Sequence, residues 1–114
     1  MDTGRTLAHR MHEAFNTSDF AAMPEIFAPD FHSHPMGTTG IEHVRASWQA
    51  MRTRYPELRT HIEDILVEAD RVAMRSTVRG GLEGTIMEIF RVANGRITEL
   101  WGASTLPRRM IHRE

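Results

Sequence analysis

The 114-residue chain has no cysteine, which excludes disulfide staples and thiolate chemistry. It has no apolar run near the ~18 residues of a membrane helix, and no basic segment leading into a short apolar one, so neither a transmembrane span nor a signal peptide is expected. Charge of one sign is also missing: with a net charge of −1, no long-range field draws the chain to nucleic acid or to a membrane surface. Repeats, linkers and low-complexity tracts are absent. These absences describe a cytoplasmic chain with neither nucleic acid nor membrane as partner. Its length suits one domain, residues 1–114, with a single modest core. Seven histidines and eight methionines stand out against an otherwise ordinary composition. Histidine supplies chemistry that responds to pH near neutrality, and methionine adapts to irregular apolar pockets.

The stretch from Gly84 to Leu106 organises the rest. Asn94-Gly95 lies between two alternating runs, a strong hairpin signal because both central residues of a type I′ turn need positive φ. In the first arm Ile86, Glu88, Phe90 and Val92 share one face by the period of two, which threads a carboxylate through an apolar row. An ionised acid on a core face without a partner costs several kcal/mol, so Glu88 must be paired, neutral or functional.

Upstream, Leu7, Met11, Ala14 and Phe15 at helical spacing predict an amphipathic helix capped by Asp2 or Thr3 and ending near Asn16. Ser18 is placed to cap a second, short helix carrying Phe20, Met23, Ile26 and Phe27, split or kinked by Pro24. An extended piece from Asp30 then runs into the turn His34-Pro35-Met36-Gly37. Thr39 and Glu42 have capping-box spacing before a third helix lined by Ile41, Val44, Trp48, Met51 and Tyr55, which Pro56 closes. Strands follow from Leu58, with a bulge near Asp64, and from Val72 to Arg79. Short links between successive strands demand antiparallel pairing, and helices gathered ahead of the strands predict an α+β domain with its helices on one face. The basic tail from Pro107 reads as a frayed end.

The segments PDFHSHPMG, YPELRTHIEDILVEADRVAMR and IFRVANGRITELWG together resemble the SnoaL-like polyketide cyclase family of the NTF2-like, cystatin-related superfamily, with the most specific matches at Asp70-Arg71-Val72, Phe90-Arg91-Val92 and Gly95 to Trp101. The resemblance implies a cone: a curved antiparallel sheet wrapped around three N-terminal helices, enclosing an apolar pocket, usually in a dimer. It implies several chemistries, since the fold hosts cyclases, isomerases, hydrolases, dehydratases and plain binding proteins. In the related ketosteroid isomerases, an aspartate base sits in a turn similar to His34-Pro35-Met36-Gly37, and a protonated acid stands two residues ahead of a Phe-Arg segment, where this chain has Glu88. The isomerases also carry a tyrosine on the first helix, where Met11 or His12 stands here. The cyclases place an aspartate on the last strand near Trp101, where this chain offers Gly102 and Thr105.

The resulting expectation is a cofactor-independent enzyme that binds an apolar, carbonyl-bearing, polyketide-like molecule and transfers a proton on the way to cyclisation or isomerisation. His34 is its base and Glu88 polarises the substrate oxygen, both pointing into one cavity. Phe27, Trp48, Met51, Tyr55, Met74, Ser76 and Phe90 are the expected substrate-binding residues. The alternatives are a turn histidine that bonds backbone, a carboxylate paired for structure, and a non-catalytic binding protein or assembly module of the same fold. His32 and His34 share a strand face, but no third ligand stands at a recognisable spacing, so no metal is expected. Arg75, Thr77 and Trp101 are assigned to an outer sheet face that a homodimer would cover.

Overall fold

The computed structural model describes residues 3–107. Asn94 and Gly95 take φ of 53° and 76°, the left-handed pair a tight hairpin needs, and they join β5 (Gly84–Ala93) to β6 (Arg96–Ser104). On the other side of β5 lies β4 (Arg71–Arg79), and beyond it β3 (Arg59–Glu68), each pair antiparallel. The β3–β4 register slips between Ile62 and Asp64, at the expected bulge.

Ahead of these strands the chain forms α1 (Thr3–Thr17), a 3-10 turn (Phe20–Ala22), α2 (Met23–Ile26), β1 (Phe27–Ser33), β2 (Thr38–Thr39) and α3 (Glu42–Arg54). Pro24 divides the expected second helix by starting α2, where its missing N–H costs nothing, and Phe27 already belongs to β1. The sheet order is β2-β1-β6-β5-β4-β3, open at both ends and curved. It is mixed rather than antiparallel throughout, because β1 runs parallel to β6. The chain between those two strands contains α3 and three strands, a connection long enough to bring them together in the same direction.

Two expected caps do not form. Ile41 occupies the α3 N-cap without a side-chain bond, and the Thr39 hydroxyl turns instead to Nδ1 of His32 at 2.9 Å, because Thr39 belongs to β2. Ser18 sits in the left-handed region (φ 57°), and Asp19 precedes the 3-10 turn. Asp2, and the tail from residue 108, lie outside the described residues.

The helices cover one face of the sheet. Leu7, Met11, Met23, Ile26 and Val44 pack on Val72, Met74, Phe90, Ile97 and Leu100, and Phe15 joins Leu58, Val78 and Leu82 in a second cluster, with Trp48 packed against both. Phe27, Phe31 and Phe90 are fully buried, each contributing roughly 1.5–3 kcal/mol of transfer free energy. The exposed edge of β3 is held by Asn16 of α1. Its Nδ2 donates to the Thr60 carbonyl at 2.9 Å and its Oδ1 accepts the Thr60 N–H at 2.8 Å, as a further strand would.

The face of Trp101 departs from the simple alternation. The β5–β6 register slips between Arg91 and Val92, whose partners are Glu99 and Ile97, so β6 carries an extra residue at Thr98. Ile97 therefore points into the core while Trp101, four residues on, lies on the outer face. Arg75 and Thr77 are outer residues as well, bonded to Asp64 and Glu63 on β3.

Candidate functional site

Between the helices and the concave face of the sheet lies a cavity of about 530 Å³. One side is aromatic: Phe15, Phe27, Phe31 and Trp48 line it, with Trp48 edge-on to Phe15 at 5.5 Å and to Phe27 at 5.9 Å between ring centres. Leu100, Gly102, Ala103 and Ser104 of β6 line it from the sheet, Met51 comes from α3, and Pro35 and Met36 come from the loop between β1 and β2. The polar side chains on this wall are His12, Ser33, Ser47, Thr60, Glu88 and Ser104.

Glu88 is carried into the cavity by the alternation of β5. Its neighbours across the sheet are Met74 on β4 and Gly102 on β6, neither of which offers a side-chain donor or cation. It makes no hydrogen bond or ion pair among the described residues. Part of its surface remains open to the cavity, but the carboxyl is surrounded by lining rather than by bulk water, and that surrounding governs its ionisation. Desolvation pushes its pKa up to about 7.

His12 is the second titratable group in the cavity. It follows Met11 on α1, and its Nδ1 lies 2.7 Å from the Thr60 hydroxyl, which Asn16 holds in place through the Thr60 backbone. Nε2 lies 3.5 Å from the Ser76 hydroxyl. Burial, aided by the nearby charges of His9 and His61, lowers its pKa to about 4, so at neutral pH it is an uncharged imidazole with a hydroxyl beside each nitrogen. Helical spacing carries the signal for this residue, because His12 stands four positions after the buried Ala8 and beside Met11.

His34 does not meet Glu88. Phe31 and Ser33 point inward on β1, and the His34 N–H continues the ladder by donating to the Leu100 carbonyl at 2.9 Å, so the same alternation turns the His34 side chain outward. There its Nε2 lies 2.8 Å from Oε2 of Glu99, and its ring stacks on Trp101 with 4.7 Å between centres and 7° between planes. The His34 hydrogen bond, with help from Arg91, holds the Glu99 carboxyl below the usual carboxylate range. His32 and His34 do share that face, 4.5 Å apart.

Of the expected substrate-binding residues, Phe27, Trp48 and Met51 line the cavity, whereas Tyr55, Met74, Ser76 and Phe90 do not. Met74 and Phe90 fill the core behind the wall, and Ser76 lies fully buried beneath His12. Tyr55 ends α3 and packs in the second cluster, where a Cβ on Gly81 would run into its ring.

The ionisation of Glu88 couples to folding. Its carboxyl pKa is raised on folding, so its contribution is fully present below the unfolded value near 4.5 and is lost as pH rises through about 7. His12, whose pKa is lowered, acts in the opposite sense, its contribution being lost as pH falls from 6.5 through about 4. Comparing wild type with Glu88→Gln cancels the histidine. Denaturant unfolding between pH 4.5 and 8 should show the wild type losing up to about 3 kcal/mol relative to the variant. Parallel stability profiles would mean that Glu88 ionises as it does in water.

The family model described as the SnoaL-like domain matches residues 8–100. Among curated proteins none matches the sequence. Among solved structures, wild-type IdmH from Streptomyces antibioticus, a candidate polyketide cyclase, superposes with a TM-score of 0.83 at 28% identity over 92% of this chain and 93% of that one. A candidate polyketide cyclase from Bacillus cereus gives 0.81 at 24% identity over 92% and 74%. TsrD from Streptomyces laurentii gives 0.82 at 20% over 90% and 88%. The last two bear on the fold alone. A cone of helices and curved sheet around an apolar cavity, matched by the family model from residue 8 to residue 100, makes this chain a member of the SnoaL-like domain family.

Proposed function

We propose that this chain binds an apolar, carbonyl-bearing molecule in the cavity and moves a proton on it, without a cofactor, towards ring closure or double-bond isomerisation. The observation that carries the reading is Glu88: a carboxyl with no partner among the described residues, in an apolar cavity, with a pKa near 7. A group half-ionised at working pH is suited to both halves of a proton transfer.

In its ionised form a Glu88 oxygen takes the proton from the carbon beside the carbonyl, and the C–H electron pair becomes the C=C bond of an enolate. The developing oxyanion needs donors. The hydroxyls of Ser104 and Ser33 each accept a backbone N–H, from Leu106 and Met36, which leaves their own protons to be donated into the cavity. Ser104 is diagonal to Glu88 across the β5–β6 ladder, within reach of one ligand carbonyl. The protonated Glu88 then returns its proton to a different carbon, giving an isomer, or to the alkoxide formed when the enolate carbon attacks a second carbonyl, giving a ring. Glu88 thus takes the base role expected of His34, and uncharged His12 adds a polar edge to the wall.

A second reading, a binding protein without turnover, is favoured because no basic group among the described residues faces Glu88: His34 lies on the other side of the sheet, and His12 has its nitrogens engaged. The two readings part on one experiment. Deuterium uptake at the carbon beside the carbonyl of 1-tetralone, followed by NMR in D2O at pD near 7, should be accelerated by the protein and fall by about 10²–10⁴ in Glu88→Gln. Uptake no faster than in buffer would leave the binding-protein reading.

The reading extends to a homodimer through the convex face. Leu66, Met87 and Ile89 are exposed there at 72%, 57% and 44%, and the pairs Leu66–Ala73, Ala73–Ile89 and Ile89–Trp101 make a continuous apolar row across four strands. Sedimentation at micromolar concentration should find a dimer that Ile89→Arg converts to monomer. A monomeric wild type would remove this interface.

A further inference from the structure

We propose that Gly102 is the positioning residue for the Glu88 carboxyl: its missing side chain opens the space over β6 into which Glu88 leans, and so sets where in the cavity the acid meets a ligand. This rests on the proposed function, in which Glu88 is the proton-transfer group.

Glu88 and Gly102 are direct partners on the concave face of the β5–β6 ladder. Side chains on such partners ordinarily rise side by side, with Cβ atoms about 4.5–5.5 Å apart. Here one is absent. A Cβ on Gly102 would stand 3.2 Å from Cγ of Glu88, 3.3 Å from the Met87 carbonyl oxygen and 3.7 Å from Cγ of Pro35. The Met87 oxygen is backbone in the ladder and cannot give way, so the Glu88 side chain would have to.

Gly102 does not earn its place through backbone conformation. It lies outside the left-handed region, unlike Gly37, Gly40, Gly80, Gly81 and Gly95, and any residue could adopt its backbone. Nor is it a strand end, since it sits inside β6 between the cavity residues Leu100 and Ser104. What its hydrogen provides is room, bounded by the Glu88 stem on one side and Pro35 on the other, and both of those residues line the cavity. A methyl group there would turn the carboxyl out of that space without occupying the aromatic side of the cavity, where the bulk of an apolar ligand packs.

Exchange and affinity separate these effects. Deuterium uptake by 1-tetralone at saturating concentration, and the affinity for the oxygen-free hydrocarbon tetralin by calorimetry, are to be measured for wild type, Gly102→Ala, Glu88→Asp and the double variant. Gly102→Ala should slow exchange at least tenfold with the tetralin affinity changed less than threefold. Glu88→Asp, whose carboxyl is one methylene short of that space, should slow it comparably. The double variant should be no slower than the slower single one, because both changes remove the same placement. Exchange by Gly102→Ala within threefold of wild type, or tetralin affinity falling in step with exchange, overturns the proposal. If Gly102→Ala does not fold, Glu88→Asp decides, and wild-type exchange in that variant overturns it. A wild type that does not accelerate exchange overturns the proposed function and this inference together, a result distinct from an active wild type whose Gly102→Ala variant keeps pace.

Discussion

The structure turns on one unfavourable burial: the strand that carries Glu88 holds its carboxyl among apolar groups, largely removed from the water that would favour its charge. Phe90, two residues on, is fully buried and anchors β5 between β4 and β6. While that register stands, Glu88 faces the cavity and not the outer surface, since a slip of one residue would expose Phe90 and bury Arg91. The Asn94-Gly95 turn fixes the register from the other end. The cost of keeping the acid inside is therefore borne by the core.

The rest of the molecule divides according to which side of that sheet it occupies. The concave side holds the cavity, with aromatic rings from β1, α1 and α3 facing the acid. On the convex side polar and charged groups pair with one another: His34 with Glu99, Arg91 with Glu99 and Asp70, Arg75 with Asp64. Trp101 lies within this outer layer, stacked with His34 and with the guanidinium of Arg71 at 5.2 Å. Between the paired charges runs the apolar row of Leu66, Ala73, Ile89 and Trp101. One ladder thus serves two surfaces of opposite character, and the period of two keeps them apart.

How much of this was legible in the chain follows from where that period holds. It holds along β5, and there Glu88 was found as an acid on an inward face with no partner in view. It also holds on β1, where Phe31 inward means Ser33 inward and His34 outward. The likeness of the His34-Pro35-Met36-Gly37 turn to a family motif argued the opposite, and the alternation was the better guide. The period fails on β6, because an extra residue at Thr98 shifts the face of everything beyond it, and nothing in the composition around Thr98 announces a bulge. His12 needed the helical period rather than the strand period. Its partners Thr60 and Ser76 are 48 and 64 residues away, so no local pattern could reveal that its two nitrogens would be satisfied. Met74 and Phe90, expected among the lining residues, lie in the core behind the cavity, because an inward face does not distinguish the wall of a cavity from the core behind it. Only packing does.

The central claim is that the Glu88 carboxyl is removed from water and ionises near neutrality. NMR titration of protein labelled with 13C at the glutamate side-chain carboxyls tests it site by site. The account predicts a midpoint near 7 for the Glu88 resonance, which is assigned by its absence from Glu88→Gln. A Glu88 midpoint at the ordinary glutamate value near 4.5 would contradict it, because an acid that ionises as it does in water is not held in an apolar cavity.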